Sequence, residues 1–146
     1  MSDFLKVTTN SNELVKNLER RSETMEKDLL KAVERSTREV MNTAKQGIHG
    51  PPKSGVMRAS DGHIASAPGE YPASDTGHLA SMIAHKLYET KYEGRVTSSA
   101  KYGVYLEYGT MNMAARPFMF PSLEKNRRKI LKRFKDAVGK YTKDTR

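Results

Sequence analysis

The sequence predicts an α+β fold in which two long helices flank a shorter α+β middle part. Apolar residues recur at helical spacing over residues 11–48 and again from Pro121 to Tyr141. Between these two patterns, residues 84–90 and 95–99 are typical of two strands joined by a tight turn. The predicted order is therefore a long N-terminal helix, a short helix, a β-hairpin, a short helix with an extended hook, and a basic C-terminal helix.

Composition limits what a chain of 146 residues with these elements can be. Only 36% of the residues are hydrophobic and the mean hydropathy is −0.73, so we expect a small core that partners complete. The chain has no cysteine, which excludes disulfides and cysteine-based metal sites. No apolar run reaches the ~18 residues that span a bilayer, and no secretory signal follows Met1. We expect a soluble protein that is made in a cytoplasm and does not enter a membrane.

The patterns favour one domain over residues 1–146, which begins with an arm (residues 1–10) and a long helix (11–48). A long loop (50–74), a motif-bearing α+β part (75–141) and a tail (142–146) complete the domain. Asn10 and Glu13 have the spacing of a helix N-cap pair. The apolar stripe of the long helix comprises Leu14, Leu18, Met25, Leu29, Val33, Val40 and Ala44. Such a stripe packs either against its own domain or against a second copy as a coiled coil.

The loop over residues 50–74 contains four of the six prolines of the chain. Loops of this length inside a compact domain are either functional segments that order on binding or tolerated surface insertions. After it, Ser74 or Asp75 is placed to cap a short helix that carries Leu79, Met82 and Ile83 on one side. In the hairpin that follows, we expect residues 91–94 to make the turn, with Gly94 at positive φ.

Residues 101–121, here called the hook segment, contain the densest group of aromatic residues. Tyr102, Tyr105, Leu106 and Tyr108 share one face if they form a short helix. Gly109 suits a left-handed C-cap, and Thr110 begins a turn. Two X-Pro pairs, Arg116-Pro117 and Phe120-Pro121, favour extended backbone before the last helix, in whose first turn Pro121 fits. The aromatic side chains, including Phe118, either fill the protein's own core or dock on a neighbour.

Positive charge is concentrated at the C-terminal end of the chain. The net charge is +9, of which residues 124–146 carry +7. The basic residues of the last helix include Lys125, Arg127, Arg128, Lys129, Lys132, Arg133 and Lys135. A run of this kind is either a solvated helix face or a surface that binds phosphates.

No pattern in the sequence indicates catalysis, a metal or a cofactor. The four histidines have no spacing that places two metal ligands on one helix face. Ser122 begins an S-x-x-K match but lacks the supporting motifs of serine acyl enzymes. Glu107 is the one acid of the hook segment, and Arg116 is a candidate partner for it. An enzyme would depend on a cluster of His63, His78 and Asp75, and we predict a protein that is not an enzyme.

Three motifs in the second half of the chain give a resemblance to a known family. They are A-S-A-P-G-E-Y-P (65–72) leading into D-T-G-H-L (75–79), Y-G-V-Y-L-E-Y-G-T (102–110) and R-P-F-M-F-P-S-L (116–123). In this order and spacing, the sequence resembles the tail-completion, or tail-to-head joining, proteins of long-tailed bacteriophages. The resemblance covers about residues 60–125. His78 departs from it, because the family often has a basic residue at that position.

The resemblance implies a structural virion protein of the neck that is assembled in the host cytoplasm and has no cofactor. Copies would form a ring, six-fold in our expectation, between a head-closure or connector ring and the tail terminator or tail tube protein. Residues expected to contact protein neighbours are Tyr102, Tyr105, Tyr108, Thr110, Arg116, Phe118 and Phe120, with Pro68, Tyr71 and Asp75 in the loop. Residues expected to contact genomic DNA in the lumen, or an acidic partner, are Lys125, Arg128, Lys129, Lys132 and Arg133. Two alternatives stay open: a tail terminator, and a cytoplasmic nucleic-acid-binding protein that uses the C-terminal helix.

Overall fold

A computed structural model describes residues 11–142 and confirms the α+β fold class. The predicted arm and its Asn10 cap, and the last four residues, lie outside the described part. The helices are α1 (Ser11–His49), α2 (His78–Ser81), α3 (Gly103–Tyr108) and α4 (Met119–Thr142). The strands are β1 (Ile83–Tyr88) and β2 (Glu93–Ser98), which a short 3₁₀ turn at Glu89–Lys91 connects.

Helix α1 has 39 residues, which corresponds to about 58 Å. Only its C-terminal half buries the predicted apolar stripe. Val33, Val40, Ala44 and Ile48 are buried, whereas Leu18 near the other end is 56% exposed. The stripe therefore packs on its own domain in the second half of the helix, whereas association of the first half with a second copy stays a prediction.

The hairpin forms where predicted, but its turn differs from the prediction. The strands pair antiparallel from Ile83 opposite Ser98 to Tyr88 opposite Glu93. Gly94 was expected at positive φ in the turn, and this is wrong, because Gly94 pairs with Leu87 inside β2. Tyr92 takes the positive φ instead, at 50°. The glycine is required for another reason: β2 approaches α1 so closely that a Cβ on Gly94 would overlap Oγ1 of Thr37.

Replacing Gly94 with alanine should destabilise the protein by about 1–3 kcal/mol, because the added methyl group also comes within 2.9 Å of Cγ1 of Val33. Gly139→Ala is the matched control, since a Cβ there meets nothing within 4 Å and α4 gains helix propensity of about 1 kcal/mol. Urea unfolding monitored by circular dichroism measures both. If Gly94→Ala were as stable as the parent, β2 would be free to move away from α1 and make room for the methyl group.

Helix α2 is shorter than predicted and is capped differently. It ends at Ser81, and Ile83 begins β1 instead of continuing the helix. Its N-cap is Gly77, at φ 76°, and no side chain caps it. Asp75 is not the cap, because its carboxylate accepts a hydrogen bond of 2.9 Å from Nη2 of Arg58.

The core lies where the C-terminal half of α1 meets α2, β1 and the start of α4. It consists of Ala44, Ile48, Leu79, Ala80, Ile83, Ala100 and Phe118. Helix α4 then runs back along α1, but only part of its apolar face turns towards α1. Ser122, Asn126 and Ala137 are the buried residues of α4, whereas Leu123, Leu131 and Val138 of the predicted apolar face remain exposed. The interface between the long helices therefore includes polar contacts, such as the hydrogen bond that Nδ2 of Asn126 donates to Oγ1 of Thr43 at 2.7 Å.

Candidate protein interface

The hook segment is anchored to its own domain through Phe118. This side chain is 1% exposed, lies in the core, and is the largest of the fully buried side chains within residues 11–142. Phe118 therefore fills the chain's own core and has almost no accessible surface. The extended stretch between α3 and α4 is short, and α4 already begins at Met119.

Glu107 fixes the point at which α4 begins. Its carboxylate accepts hydrogen bonds from the backbone N–H groups of Phe118, Met119 and Phe120, at 2.8, 2.9 and 2.9 Å. These N–H groups have no partner within a helix, and the positive end of the helix dipole favours the carboxylate there. Phe120 was expected to be extended before Pro121, and this is wrong. The backbone N–H of Phe120 donates to Glu107, and the N–H that Pro121 lacks is not required in the first turn of a helix. Phe120 is therefore helical.

Arg116 does not pair with Glu107. Its backbone N–H donates to the carbonyl of Leu106 at 2.7 Å, and its Nε donates to the carbonyl of Ser66 at 2.9 Å. The arginine thus ties the hook segment to α3 on one side and to the 50–74 loop on the other. Gly109 has the expected positive φ of 77°, but its ψ of −178° is extended and not left-handed helical. Thr110 begins the predicted turn, and its backbone N–H donates to the carbonyl of Met113 at 2.8 Å.

The outer side of the hook segment is aromatic and exposed. Tyr102, Tyr105, Tyr108 and Phe120 all have substantial accessible surface, and Tyr108 is 81% exposed. The structure does not bring all four together. Tyr108 and Phe120 border one groove, whereas Tyr102 and Arg116 line a separate cleft with His63, Asp75 and His78.

The groove beside Tyr108 and Phe120, here called the apolar groove, has a volume of about 790 Å³. Helix α4, α1, α3 and β2 all contribute to it. Its apolar lining includes Val33, Val40, Tyr92, Val96, Val104, Phe118, Met119, Leu123, Ile130 and Phe134. Sequence reasoning missed the contributions of Tyr92 and Val96. Their signal was weak, because a hairpin turn and an alternating strand are ordinary features of a partly exposed sheet.

The 50–74 loop is held to its own chain at several points. Glu70 accepts hydrogen bonds from the hydroxyl of Ser54 at 2.6 Å and from the N–H of Ala67 at 2.9 Å. The hydrogen bond from Ser54 is the main reason that the pKa of Glu70 is lowered. The ring of Tyr71 lies against α1 at Gly47, and its hydroxyl is 3.1 Å from Oγ of Ser122. Pro68 is exposed. Docking of this loop on a neighbour stays a prediction.

The basic residues of α4 fall into two groups. Lys129 and Arg133 bind Glu39 of α1, and Nη2 of Arg133 lies 2.6 Å from Oε2. Lys125 lies over the ring of Tyr71, 4.6 Å from its centroid. Arg128 and Lys132 are exposed. The residues that line the cleft between α1 and α4 are Asp28, Lys31, Ala32, Arg35, Lys129, Lys132, Arg133, Asp136, Ala137 and Lys140.

Lys31 and Arg35 of this cleft were not singled out from the sequence, because they belong to a helix whose charges look evenly distributed. The fold adds them to the basic residues of α4. A positive surface on two helices results, with Asp28 and Asp136 as its acids.

The hydrogen bond from Arg133 holds the pKa of Glu39 below its ordinary value, and Lys129 acts in the same direction against the effect of burial. At Asp28, the hydroxyl of Tyr141 is the first cause of a lowered pKa, and Lys140 is the second. Both carboxylates belong to α1 and both sets of donors to α4. The two helices are therefore held together by acids that must remain ionised.

We expect the stability of the protein to fall as pH drops below about 4.3, the pKa of an unfolded glutamate. A carboxylate whose pKa is lower in the folded chain stabilises the fold fully above its unfolded pKa, and loses that contribution as pH falls through its folded pKa.

Glu39→Gln should cost about 1–2 kcal/mol of stability at pH 7 and flatten this pH dependence. Urea unfolding at a series of pH values measures both effects. The matched control is Glu34→Gln, since Glu34 pairs with Arg38 on the exposed side of α1 and should change stability by less than about 0.5 kcal/mol. Parallel pH curves for the parent and Glu39→Gln would contradict the prediction.

The His63, Asp75 and His78 cluster that an enzyme would need lines one cleft of about 460 Å³. Asp75 is already bound there by Arg58, whose hydrogen bond is the main reason for the lowered pKa of Asp75. Within residues 11–142, no group of three or more histidines and acids is arranged to hold a metal ion.

Comparison with known families decides what kind of protein carries this interface. Residues 12–109 match the sequence model of the HK97-gp10-like family, which is described as "Bacteriophage HK97-gp10, putative tail-component". The chain belongs to the HK97-gp10-like family. It is therefore a bacteriophage tail component, as the resemblance to phage tail proteins implied. Comparison with curated proteins and with solved structures gives no significant match.

The region that matches the HK97-gp10-like family runs from α1 to the end of α3, so it includes the hairpin and Tyr108 but not α4. The motif at residues 116–123 and the basic helix are features of this chain beyond the matched region. As a tail component, the protein has its place in the virion. None of the helices within residues 11–142 has the length and apolar character needed to cross a bilayer.

Proposed function

We propose that this HK97-gp10-like protein is the subunit of a neck ring that completes the tail and joins it to the head. Copies of the chain form a closed ring, six-fold in our expectation. One face of the ring binds a head-closure or connector ring, and the other binds the tail terminator or the tail tube protein. The role is one of binding and assembly, and it requires neither catalysis nor a cofactor.

The observation that carries the proposal is the construction of the hook segment. Phe118 and Glu107 hold it rigidly from the inside, while Tyr108 and Phe120 lie exposed on its outer side beside the apolar groove. Exposed aromatic residues that are fixed in position by a rigid support are typical of protein–protein contacts, since little entropy is lost on binding. A ring subunit needs such surfaces because each copy contacts neighbours on both sides.

Electron microscopy of a lysate from phage that lacks this gene tests the proposal. Filled heads beside separate tails of normal length are expected. Complementation with the parent gene should restore joined particles. Normal infectious virions would overturn the proposal, and tails of irregular length would support a tail terminator instead.

The cleft between α1 and α4, here called the basic cleft, favours a second candidate, contact with nucleic acid. Lys31 and Arg35 of α1 lie with Lys132 and Lys140 of α4 around one cleft of about 520 Å³. Duplex DNA binding at several salt concentrations tests it, with the Arg128→Glu/Lys132→Glu variant as the comparison because both residues lie outside the Glu39 ion pairs. A dedicated DNA-binding protein would bind well below micromolar at physiological salt. Weak, strongly salt-dependent binding would instead fit a helix that faces DNA inside a ring.

A further inference from the structure

The first part of α1, residues 12–27, extends beyond the described part of α4 and is here called the α1 extension. Near the end of the described part of α4, Asp28 of α1 accepts hydrogen bonds from Tyr141 at 3.0 Å and Lys140 at 3.3 Å. Sixteen helical residues before Asp28 correspond to about 24 Å. Met25 is half-buried, and the other side chains that the structure describes in the extension are exposed.

The α1 extension carries an apolar stripe that the described part of its own chain leaves exposed at Val15 and Leu18 and covers in part at Met25. Val15, Leu18 and Met25 are separated by three and seven residues, so they lie on one face of the helix. Val15 is 49% exposed and Leu18 is 56% exposed. Anchors at this spacing are those of an amphipathic helix that binds in a groove of another protein.

The same chain contains an apolar groove of matching length. Leu123, Ile130 and Phe134 line it over about 16 Å of α4, and the stripe from Val15 to Met25 spans about 15 Å. The extension cannot reach the groove of its own chain, because α1 is one unbroken helix and its residues Val33 and Val40 form the wall of that groove. A second copy, by contrast, can supply the stripe.

Charge favours the same pairing. Glu19 and Glu26 each follow a stripe residue by one position, so both acids run along one border of the stripe. On α4, Arg127 lies between the groove residues Leu123 and Ile130 in sequence and is exposed. Its pairing with Glu124, at 3.3 Å, is an exposed ion pair that contributes little and can exchange for another acid.

We infer that the α1 extension of one copy packs its Val15, Leu18 and Met25 side chains into the apolar groove of the next copy. The inference deepens the proposed neck ring and rests on it for its biological setting. The contact is heterologous, since it uses two different surfaces of the same chain. Repetition of such a contact gives a ring when the rotation between copies closes.

Cysteine cross-linking tests the contact directly, because the chain has no cysteine of its own. An equimolar mixture of Leu18→Cys and Leu123→Cys proteins should form a mixed disulfide dimer under mild oxidation, provided the two Cβ atoms come within about 4.5 Å. Phe120→Cys and Tyr92→Cys sample neighbouring groove positions in the same way. The matched control is Leu131→Cys, which is exposed on α4 but does not line the groove. Cross-linking of Leu18→Cys only with itself would indicate a coiled coil between extensions and would overturn the inference, as would equal cross-linking to Leu131→Cys.

Complementation in solution provides the second measurement. Leu18→Glu and Leu123→Glu should each lose the oligomer peak in size-exclusion chromatography with light scattering, while circular dichroism remains that of the parent because both side chains are exposed. When mixed, each variant retains the one surface that the other lacks, so the mixture should shift to a 1:1 dimer and not to a ring. Oligomers that persist in Leu18→Glu would overturn the inference. A parent protein that stays monomeric and gives no cross-link from Leu18 to any groove position would overturn it as well.

The two proposals fail in different ways. If Leu18→Glu phage still produce joined, infectious particles while the gene deletion does not, the neck function stands and the extension contact is wrong. If the cross-link from Leu18 to the groove forms while gene-deleted phage still join heads to tails, the contact between copies stands and the neck function is wrong.

Discussion

Truncating Phe118 to alanine should destabilise the protein by about 3–5 kcal/mol, as is usual for a fully buried aromatic side chain. The ring is 1% exposed and lies in the core with Ile48 and Ile83. Its removal would leave a cavity where the hook segment, α1 and β1 meet. Since small domains have a total stability of about 5–15 kcal/mol, the variant should unfold at much lower urea concentration than the parent. Urea unfolding monitored by circular dichroism measures the loss.

Phe120→Ala is the matched control, because this second phenylalanine is only two residues away and is 65% exposed. It should change the free energy of unfolding by less than about 1 kcal/mol, and its effect should appear in head–tail joining instead. Phe118→Leu should recover most of the stability that Phe118→Ala loses. Similar losses in Phe118→Ala and Phe120→Ala would contradict the burial pattern on which the candidate interface is based.

The contrast between these two residues shows what the sequence could and could not predict. Helical spacing predicted α1 and α4 within a few residues, because a repeated apolar pattern is a local property of the chain. Which phenylalanine would be buried is not local. It depends on Glu107, which lies eleven residues before Phe118 and sets the start of α4. An X-Pro pair alone predicted extended backbone at Phe120, and a distant side chain overrides that preference.

The orientation of α4 was unpredictable for a similar reason. Its apolar face has the stronger periodic signal, yet the helix turns Asn126 and Arg133 towards α1. These side chains find matching partners there, such as Ser36 and Glu39, and the matching involves residues about 80 to 100 positions apart in the sequence. Part of the apolar face, at Leu123, Ile130 and Phe134, instead lines the apolar groove of the candidate interface.

Family membership and geometry contribute separately to the functional conclusion. The match to the HK97-gp10-like family establishes a phage tail component but ends before the hook segment is complete. The geometry of the hook segment, the groove and the α1 extension then supports a subunit with two different surfaces that complement each other between copies. The neck ring is the proposal that uses all three features, whereas a DNA-binding protein would use only the basic cleft.

Replacing Glu107 with alanine should destabilise the protein by about 2 kcal/mol, the upper range for the loss of a helix cap. The substitution removes the acceptor of three backbone N–H groups, two of which, those of Phe118 and Met119, belong to partly buried hydrogen bonds. It also removes a negative charge from the positive end of a helix of 24 residues. Glu107→Gln retains one acceptor oxygen and should lose less.

Glu124→Ala separates this capping effect from the general loss of a glutamate on α4. Glu124 lies farther along the helix and makes only an exposed ion pair with Arg127, so its loss should cost less than about 0.5 kcal/mol. Urea unfolding of the three variants gives the comparison. Because Glu107 and Phe118 act on the same turn, the double variant Glu107→Ala/Phe118→Leu should lose less stability than the sum of the single losses. If Glu107→Ala and Glu124→Ala lose equal stability, the cap does not determine where α4 begins, and burial of Phe118 alone positions Tyr108 and Phe120 beside the groove.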